Sequence, residues 1–384
     1  MKTMTSRERI LAATKGQETD MVPVSPRLFA YLLDKYGEHS LESNLKFQTE
    51  YDFDITLNAV SGLANPIFNV YVDTSYSKDI KLEMQEWEEN GIKIVKRVFH
   101  TPAGKIQDIA KVPPSGCGYG IAPDPTKIEW LIKDRSDLEK IAYILPDPKK
   151  HCDISNLKKL NDTMGEKGLI QTVIHSPIDY FAGDARGMEN LMIDYYEDKE
   201  FFDDIIKLFY DHIMCQTKVC LENGFTNIFG CWYYTSLSSG WSPKIFREEF
   251  IPLMKEHVNL VHKYDGTYDL YDDGKCMSVL EDYVNTGADV LETITPPPVG
   301  DVDLAEAKRI VGNKMTLKGY TDLIYVLQMG TPEQVRDTVM EAIRIAGPGG
   351  RFILGTSDSI RDGTPEENVR VYFETARKYG KYPL

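Results

Sequence analysis

No stretch of this 384-residue chain approaches the roughly 20 consecutive apolar residues that a membrane-spanning helix needs. The opening Met1–Ile10 (MKTMTSRERI) is polar and lacks the apolar core of a secretory signal. Cysteine is sparse and scattered: Cys117, Cys152, Cys215, Cys220, Cys231 and Cys276 include no CxxC pair. That spacing argues against a disulfide framework and fits reduced thiols in a cytoplasmic protein. Positive charge is also in short supply, since 44 lysines and arginines against 59 acidic residues leave a formal net charge of −15. Such a chain repels phosphate backbones and anionic lipid, so neither nucleic acid nor a membrane is an expected partner. Internal repeats, low-complexity tracts and linkers are absent as well.

What is present is an ordinary globular composition, 42% hydrophobic and 27% charged, able to bury a sizeable core. Short β-type runs alternate with amphipathic helical stretches, the signature of βαβ units and a parallel sheet. The predicted strands are Val22–Ser25, Asp54–Asn58, Leu169–His175, Asn227–Tyr233, Thr267–Tyr271, Asp289–Thr293, Met315–Gly319 and Phe352–Gly355. Helical periodicity is clearest in Glu200–Glu222, Pro243–Lys263, Leu304–Val311, Pro332–Ala346 and Pro365–Tyr379. Three of these open on Ser242-Pro243, Thr331-Pro332 or Thr364-Pro365, a capping hydroxyl followed by a proline at the first helical position. The segment Tyr71–Val112 breaks the rhythm and reads as an antiparallel hairpin, Ile80–Glu88 with Ile92–His100, turning at Glu89-Asn90-Gly91. The expectation is an α/β fold: one (β/α)8 TIM-barrel domain over residues 1–384, with a β-hairpin insertion at about 71–112.

Several blocks resemble the uroporphyrinogen decarboxylase superfamily: Ser6–Val24 (SRERILAATKGQETDMVPV), Thr101-Pro102-Ala103-Gly104, Ser242–Pro252, Gly287–Asp303 (GADVLETITPPPVGDVD), Ala305–Gly319 and Ala346–Val369. The likeness spans nearly the whole chain and is strongest in its last third. It implies the barrel fold and one of three activities. These are porphyrinogen decarboxylation, zinc-dependent methyl transfer from methylcobamide to a thiol, and corrinoid-dependent demethylation of methoxylated compounds. The family's decarboxylases carry an arginine-rich stretch after the first strand; here Pro23–Tyr31 (PVSPRLFAY) has only Arg27, poor equipment for a polycarboxylate. The zinc methyltransferases carry His-x-Cys-Gly at the fifth strand end and a later cysteine at the eighth. The matching residues here are Tyr271, Asp273 and Asp358, a set ill suited to zinc. If a metal is bound, Asp273 and Asp358 are its expected ligands.

Barrel enzymes place their chemistry at the carboxyl ends of the strands. Those ends expose Arg27, Asn58, His175, Trp232, Tyr233, Tyr234, Tyr271, Asp272, Asp273, Glu292, Tyr320, Ser357 and Asp358. Such a rim favours a neutral, planar, partly apolar substrate. Two neighbouring carboxylates at Asp273 and Asp358 cannot both ionise easily, so one holds a proton and can donate it to a leaving oxygen. Asp273, Asp358, His175 and Tyr271 are therefore the catalytic candidates. Arg27, Asn58, Trp232, Tyr233, Tyr234, Asp272, Glu292 and Tyr320 are the substrate-binding ones. Structural readings stand beside these: Asp272 and Asp273 as a helix cap before Gly274, Asp358 as a loop residue, His175 and Cys231–Tyr234 as core, and Gly347–Gly350 as a plain turn. The expected function is removal of a methyl group from a methoxylated, aromatic small molecule, with transfer to a corrinoid cofactor on a partner protein. Family likeness further suggests a homodimer. The alternatives are a decarboxylase on a smaller carboxylate, a zinc-dependent thiol methyltransferase, and a ligand-binding barrel whose aspartates are structural.

Overall fold

The structure, a computed structural model, describes residues 3–116 and 120–384. Cys117 and the first two residues of the opening segment lie outside the described residues. The five cysteines within them are all thiols. No helix among the described residues is long and apolar enough to cross a membrane. Among the described residues eleven strands are present: β1 (Ile55–Ala59), β2 (Lys81–Glu89), β3 (Ile92–Thr101), β4 (Gly104–Val112), β5 (Thr126–Glu129), β6 (Gly168–His175), β7 (Asn227–Cys231), β8 (Thr267–Gly274), β9 (Val290–Ile294), β10 (Thr316–Thr321) and β11 (Phe352–Thr356). The chain forms two compact units, one of residues 1–59, 155–173 and 224–384, the other of 60–154 and 174–223.

The first unit is built on a parallel sheet in the order β1-β6-β7-β8-β9-β10-β11. All five residues of β9 and of β11 are buried, as strands covered on both faces require. The sheet curls into a (β/α)8 barrel, and its eighth position is filled by Pro23–Ser25. Val24 bridges Leu354 of β11 in parallel, while the Asp54 amide, just before β1, donates to the Val24 carbonyl at 2.8 Å. The predicted strand Val22–Ser25 shrinks to this bridge for a local reason. Pro23 has no N–H, and the Val24 amide donates to the Asp54 carboxylate at 2.9 Å instead of to a strand carbonyl. Arg9 reaches the same carboxylate at 2.5 Å.

The helix Pro332–Ala346 opens with the expected cap, Thr331 and Gln334 exchanging bonds in a capping box. Ser242 likewise accepts from the Ile245 amide. Thr364 does not cap: its hydroxyl donates back to the Arg361 carbonyl, and the last helix, Glu366–Tyr379, starts without a side-chain cap. Gly347–Gly350 is a turn, closed by the Gly350 amide on the Gly347 carbonyl and leading into β11.

The second unit carries an antiparallel sheet, β2-β3-β4-β5, and the long helix Lys199–Glu222. The predicted hairpin is β2 with β3, joined at Asn90-Gly91, where both residues take positive φ as a tight two-residue turn demands. The insertion is larger than a hairpin, because Pro102-Ala103 turns the chain once more into β4, and β5 then adds to it. Its interior holds Val70, Val95 and Ala110. Beside them the fully buried Arg97 donates to Asp108 and to the Pro66 carbonyl, and Lys127 donates to Asp108.

Candidate active site

At the carboxyl end of the barrel a cavity of about 250 Å³ opens between the ends of β7 to β11. Tyr233, Asp273, Thr295, Asp322, Ser357 and Asp358 form most of its wall. Side chains alternate along a strand, so residues 269, 271 and 273 of β8 share one face. β8 runs to Gly274, three residues beyond its predicted end, and this extension places Asp273 at the rim. Gly274 follows at φ 85°, where a Cβ would strike the Ser238 hydroxyl. That hydroxyl accepts from the Lys275 amide at 2.9 Å.

Asp273 accepts a hydrogen bond from the Tyr271 phenol at 2.5 Å, and its other oxygen has no partner. Burial pushes the Asp273 carboxyl up to about 7, and the negative charge of Asp358 adds to the effect. The Tyr271 hydrogen bond and the Arg27 charge only partly oppose it. The Tyr271 phenol is held well above its usual range, by burial and then by Asp358 and Asp273, so it remains a donor. Arg27 lies over the Tyr271 ring at 4.5 Å and the Phe229 ring at 5.2 Å, and is 3.8 Å from Asp358. Although burial alone lowers its pKa, the anionic neighbours raise it above the ordinary value. Asp358 has a second guanidinium, Arg361, at 3.9 Å. One side of the cavity thus holds a buried carboxyl that keeps its proton near neutrality, beside a carboxylate flanked by two cations. Such a pair can act as a proton donor beside a charge that raises its pKa.

Other expected site residues lie elsewhere. Trp232 has no exposed surface: its indole N–H donates to the Tyr268 hydroxyl, which pairs with His257, so it is core and not pocket wall. Asp272 points the opposite way from Asp273, as strand alternation requires. Its carboxylate takes the Tyr283 hydroxyl, so it neither caps a helix nor faces a substrate. Tyr320, near the end of β10, is half-buried and is not among the residues that line the cavity; burial, with the charges of Glu341 and Asp303 adding to it, raises its phenol. Tyr233 is exposed on the cavity wall, with Tyr234 beside it at 5.3 Å between rings. Asn58 is half-buried on β1, opposite Gln171. His175 ends β6 and packs edge-on against Tyr180 at 4.6 Å; burial lowers it to about 4, so it is neutral at physiological pH. Among the described residues, no group of three or more His, Cys, Asp or Glu side chains is arranged to hold a metal ion. Asp273 and Asp358 thus lack the further ligand that a zinc site needs.

Glu292 belongs to a charge cluster inside the barrel that the sequence reading missed. Lys318 of β10 donates to Glu292 at 2.9 Å and to Thr56 at 3.1 Å, and lies 3.8 Å from Asp269, which accepts from Gln171 at 2.9 Å. Burial raises Asp269 to about 8, with Glu292 adding to it, whereas Lys318 and Arg27 outweigh burial at Glu292 and hold it low. The signal was available: Asp269 and Lys318 are lone charges inside otherwise apolar strands. Asp322, immediately after β10, was also passed over.

A family model described as uroporphyrinogen decarboxylase (URO-D) matches residues 115–379. Curated relatives named uroporphyrinogen decarboxylase include one from Microcystis aeruginosa, 23% identical over 66% of this chain and 71% of its own length. Another, from Prochlorococcus marinus, is 24% identical over 64% of this chain and 69% of its own. Among solved structures, a methyltransferase from Methanosarcina mazei superposes with a TM-score of 0.65 at 15% identity, covering 98% of this chain and 99% of the other. At that identity the likeness speaks to the fold alone.

Proposed function

We propose that this chain, which belongs to the uroporphyrinogen decarboxylase family, is a methyltransferase that demethylates a methoxylated small molecule and delivers the methyl group to a corrinoid on a partner protein. The observation that carries this reading is the Asp273 carboxyl, raised to about 7 on the wall of a small cavity. Cleaving a methyl ether leaves the electron pair of the broken C–O bond on oxygen, and an unprotonated alkoxide or phenolate leaves poorly. Asp273 supplies the proton and is left as a carboxylate. Asp358 keeps that proton in place through its charge. Tyr271 orients the carboxyl by its hydrogen bond, and Tyr233 offers a ring face to the substrate. A corrinoid, when bound, supplies the metal-centred nucleophile that accepts the methyl group. Its ring is larger than this cavity, so a corrinoid would have to be presented from outside it by a separate protein. Zinc has no part in the scheme, because the residues present do not make a site for it.

Decarboxylation is the second reading, favoured by the names of the curated relatives. The cavity wall opposes it, since Arg361 is its single cation among the described residues and already faces Asp358. The deciding assay couples release of an aryl methyl ether's methyl group to methylation of reduced cobalamin. Methyl transfer supports the proposal. Carbon dioxide release from a small aryl or porphyrinogen carboxylate without methyl transfer replaces it with the second reading.

A further inference from the structure

Three carboxyl groups line the cavity, those of Asp273, Asp358 and Asp322. Asp322 is 2% exposed. One oxygen accepts from the amides of Ile324 and Tyr325 at 2.8 and 2.7 Å, capping the short helix Leu323–Gln328. The other oxygen is buried and accepts no hydrogen bond. Among the described residues no lysine, arginine or histidine lies within ion-pair distance of it. Asp358 differs, having Arg27 and Arg361 beside it. A buried carboxylate with an unused oxygen and no counter-charge costs free energy, and a group that bonds it there regains that cost. The free oxygen of Asp273 carries the transferable proton and Asp358 already has two guanidinium neighbours, so the unmet demand for an N–H donor and positive charge falls on Asp322. Among the described residues no three-ligand cluster is present, which favours an organic charge over a metal ion.

We infer that the methyl donor of this enzyme carries a protonated amine, which the free oxygen of Asp322 binds inside the cavity while the methoxy group lies toward Asp273. The inference rests on the demethylation reading for its methyl group, but its charge preference is measurable without any turnover. A bound ammonium also has a kinetic signature. It lowers the pKa of nearby Asp273 in the complex, so kcat falls off at lower pH than kcat/KM does.

The test is calorimetric titration of the intact protein with three probes of one shape: 4-methoxybenzylammonium, the neutral 4-methylanisole and the anionic 4-methoxybenzoate. The ammonium is expected to bind about ten- to a hundredfold more tightly than 4-methylanisole, the range of a charge-assisted hydrogen bond to a buried group, and the benzoate most weakly. Asp322→Asn retains an oxygen for the two capping amides, and asparagine is a good N-cap, so the variant keeps its fold. It is expected to bind the ammonium and the neutral probe within about twofold of each other, at unchanged melting temperature. Equal binding of ammonium and neutral probe by the native protein overturns the inference, as does binding of none of the three. An ammonium preference that survives in Asp322→Asn overturns it too, as does one that appears only when a divalent metal is added. Demethylation of 4-methylanisole without ammonium preference leaves the demethylase reading standing and removes this one. Tight ammonium binding with no methyl transfer does the reverse.

Discussion

Replacing Asp273 by asparagine removes one transferable proton while preserving size and the capacity to accept from Tyr271. With a carboxyl pKa of about 7, roughly half of the native molecules hold that proton at pH 7, about a tenth at pH 8 and about a hundredth at pH 9. The acid must be protonated to act, so the native rate of methyl transfer is level below neutrality and falls about tenfold per pH unit above it. Asp273→Asn is expected to lose roughly 100- to 10,000-fold in kcat and to lose this limb altogether. Asp358→Asn removes the charge that helps keep the proton on Asp273, so the limb moves to lower pH. Tyr271→Phe removes a bond that favours the ionised form, so the limb moves to higher pH. The assay is single-turnover transfer from an aryl methyl ether to reduced cobalamin between pH 6 and 9, read in the cobalamin spectrum. A flat profile in the native enzyme, or a native rate in Asp273→Asn, refutes the assignment. Shifts of the same sign in the Asp358 and Tyr271 variants refute the electrostatic account even if Asp273 is essential.

Four further outcomes are expected. Lys318→Met strands Glu292 beside Asp269 in the barrel interior and should cost about 3–5 kcal/mol of stability, measured by urea unfolding at neutral pH; an unchanged midpoint would sink the cluster's structural role. Because Asp269 is raised to about 8 in the folded chain, its contribution to stability is full below the unfolded carboxyl range and is lost as pH rises through about 8. Asp269→Asn should therefore flatten the decline in melting temperature between about pH 5 and 8. Asp272→Ala leaves the buried Tyr283 hydroxyl without its acceptor and should cost about 1–3 kcal/mol, with kcat of the folded fraction intact. Dialysis against a chelator should leave methyl transfer unchanged, and loss restored by zinc would return a metal to the site.

The strand run was legible because parallel strands buried on both faces announce themselves as apolar segments, and β9 and β11 are of that kind. The first barrel strand was legible as a place but not as a strand, since Pro23 and the Asp54 carboxylate take over its hydrogen bonds. The caps at Ser242 and Thr331 followed from local chemistry, whereas Thr364 had an equally local alternative in the Arg361 carbonyl. At the site, alternation along β8 sorts Asp273 from Asp272, but only when the strand is known to continue to Gly274. The sequence shows two adjacent aspartates; it does not show which one the pleat turns outward. Trp232 misled because an aromatic just past a strand end reads as a wall, and its bond to Tyr268 depends on a residue 36 positions away. The Lys318 cluster draws on five strands, and no short window contains it.

The closure at Val24 has a consequence for how the molecule comes into being. The ribosome releases Val24 long before its partner Leu354, and the Asp54 carboxylate that secures this join also faces Arg377 of the helix Glu366–Tyr379. Nothing seals the seam until the carboxyl-terminal segment has been synthesised. Until then the nascent barrel is an open ribbon with two bare edges, a state vulnerable to pairing with neighbouring chains. A chain shortened before Phe352 would keep six of the seven strands of the sheet, and yet have no means of becoming a barrel.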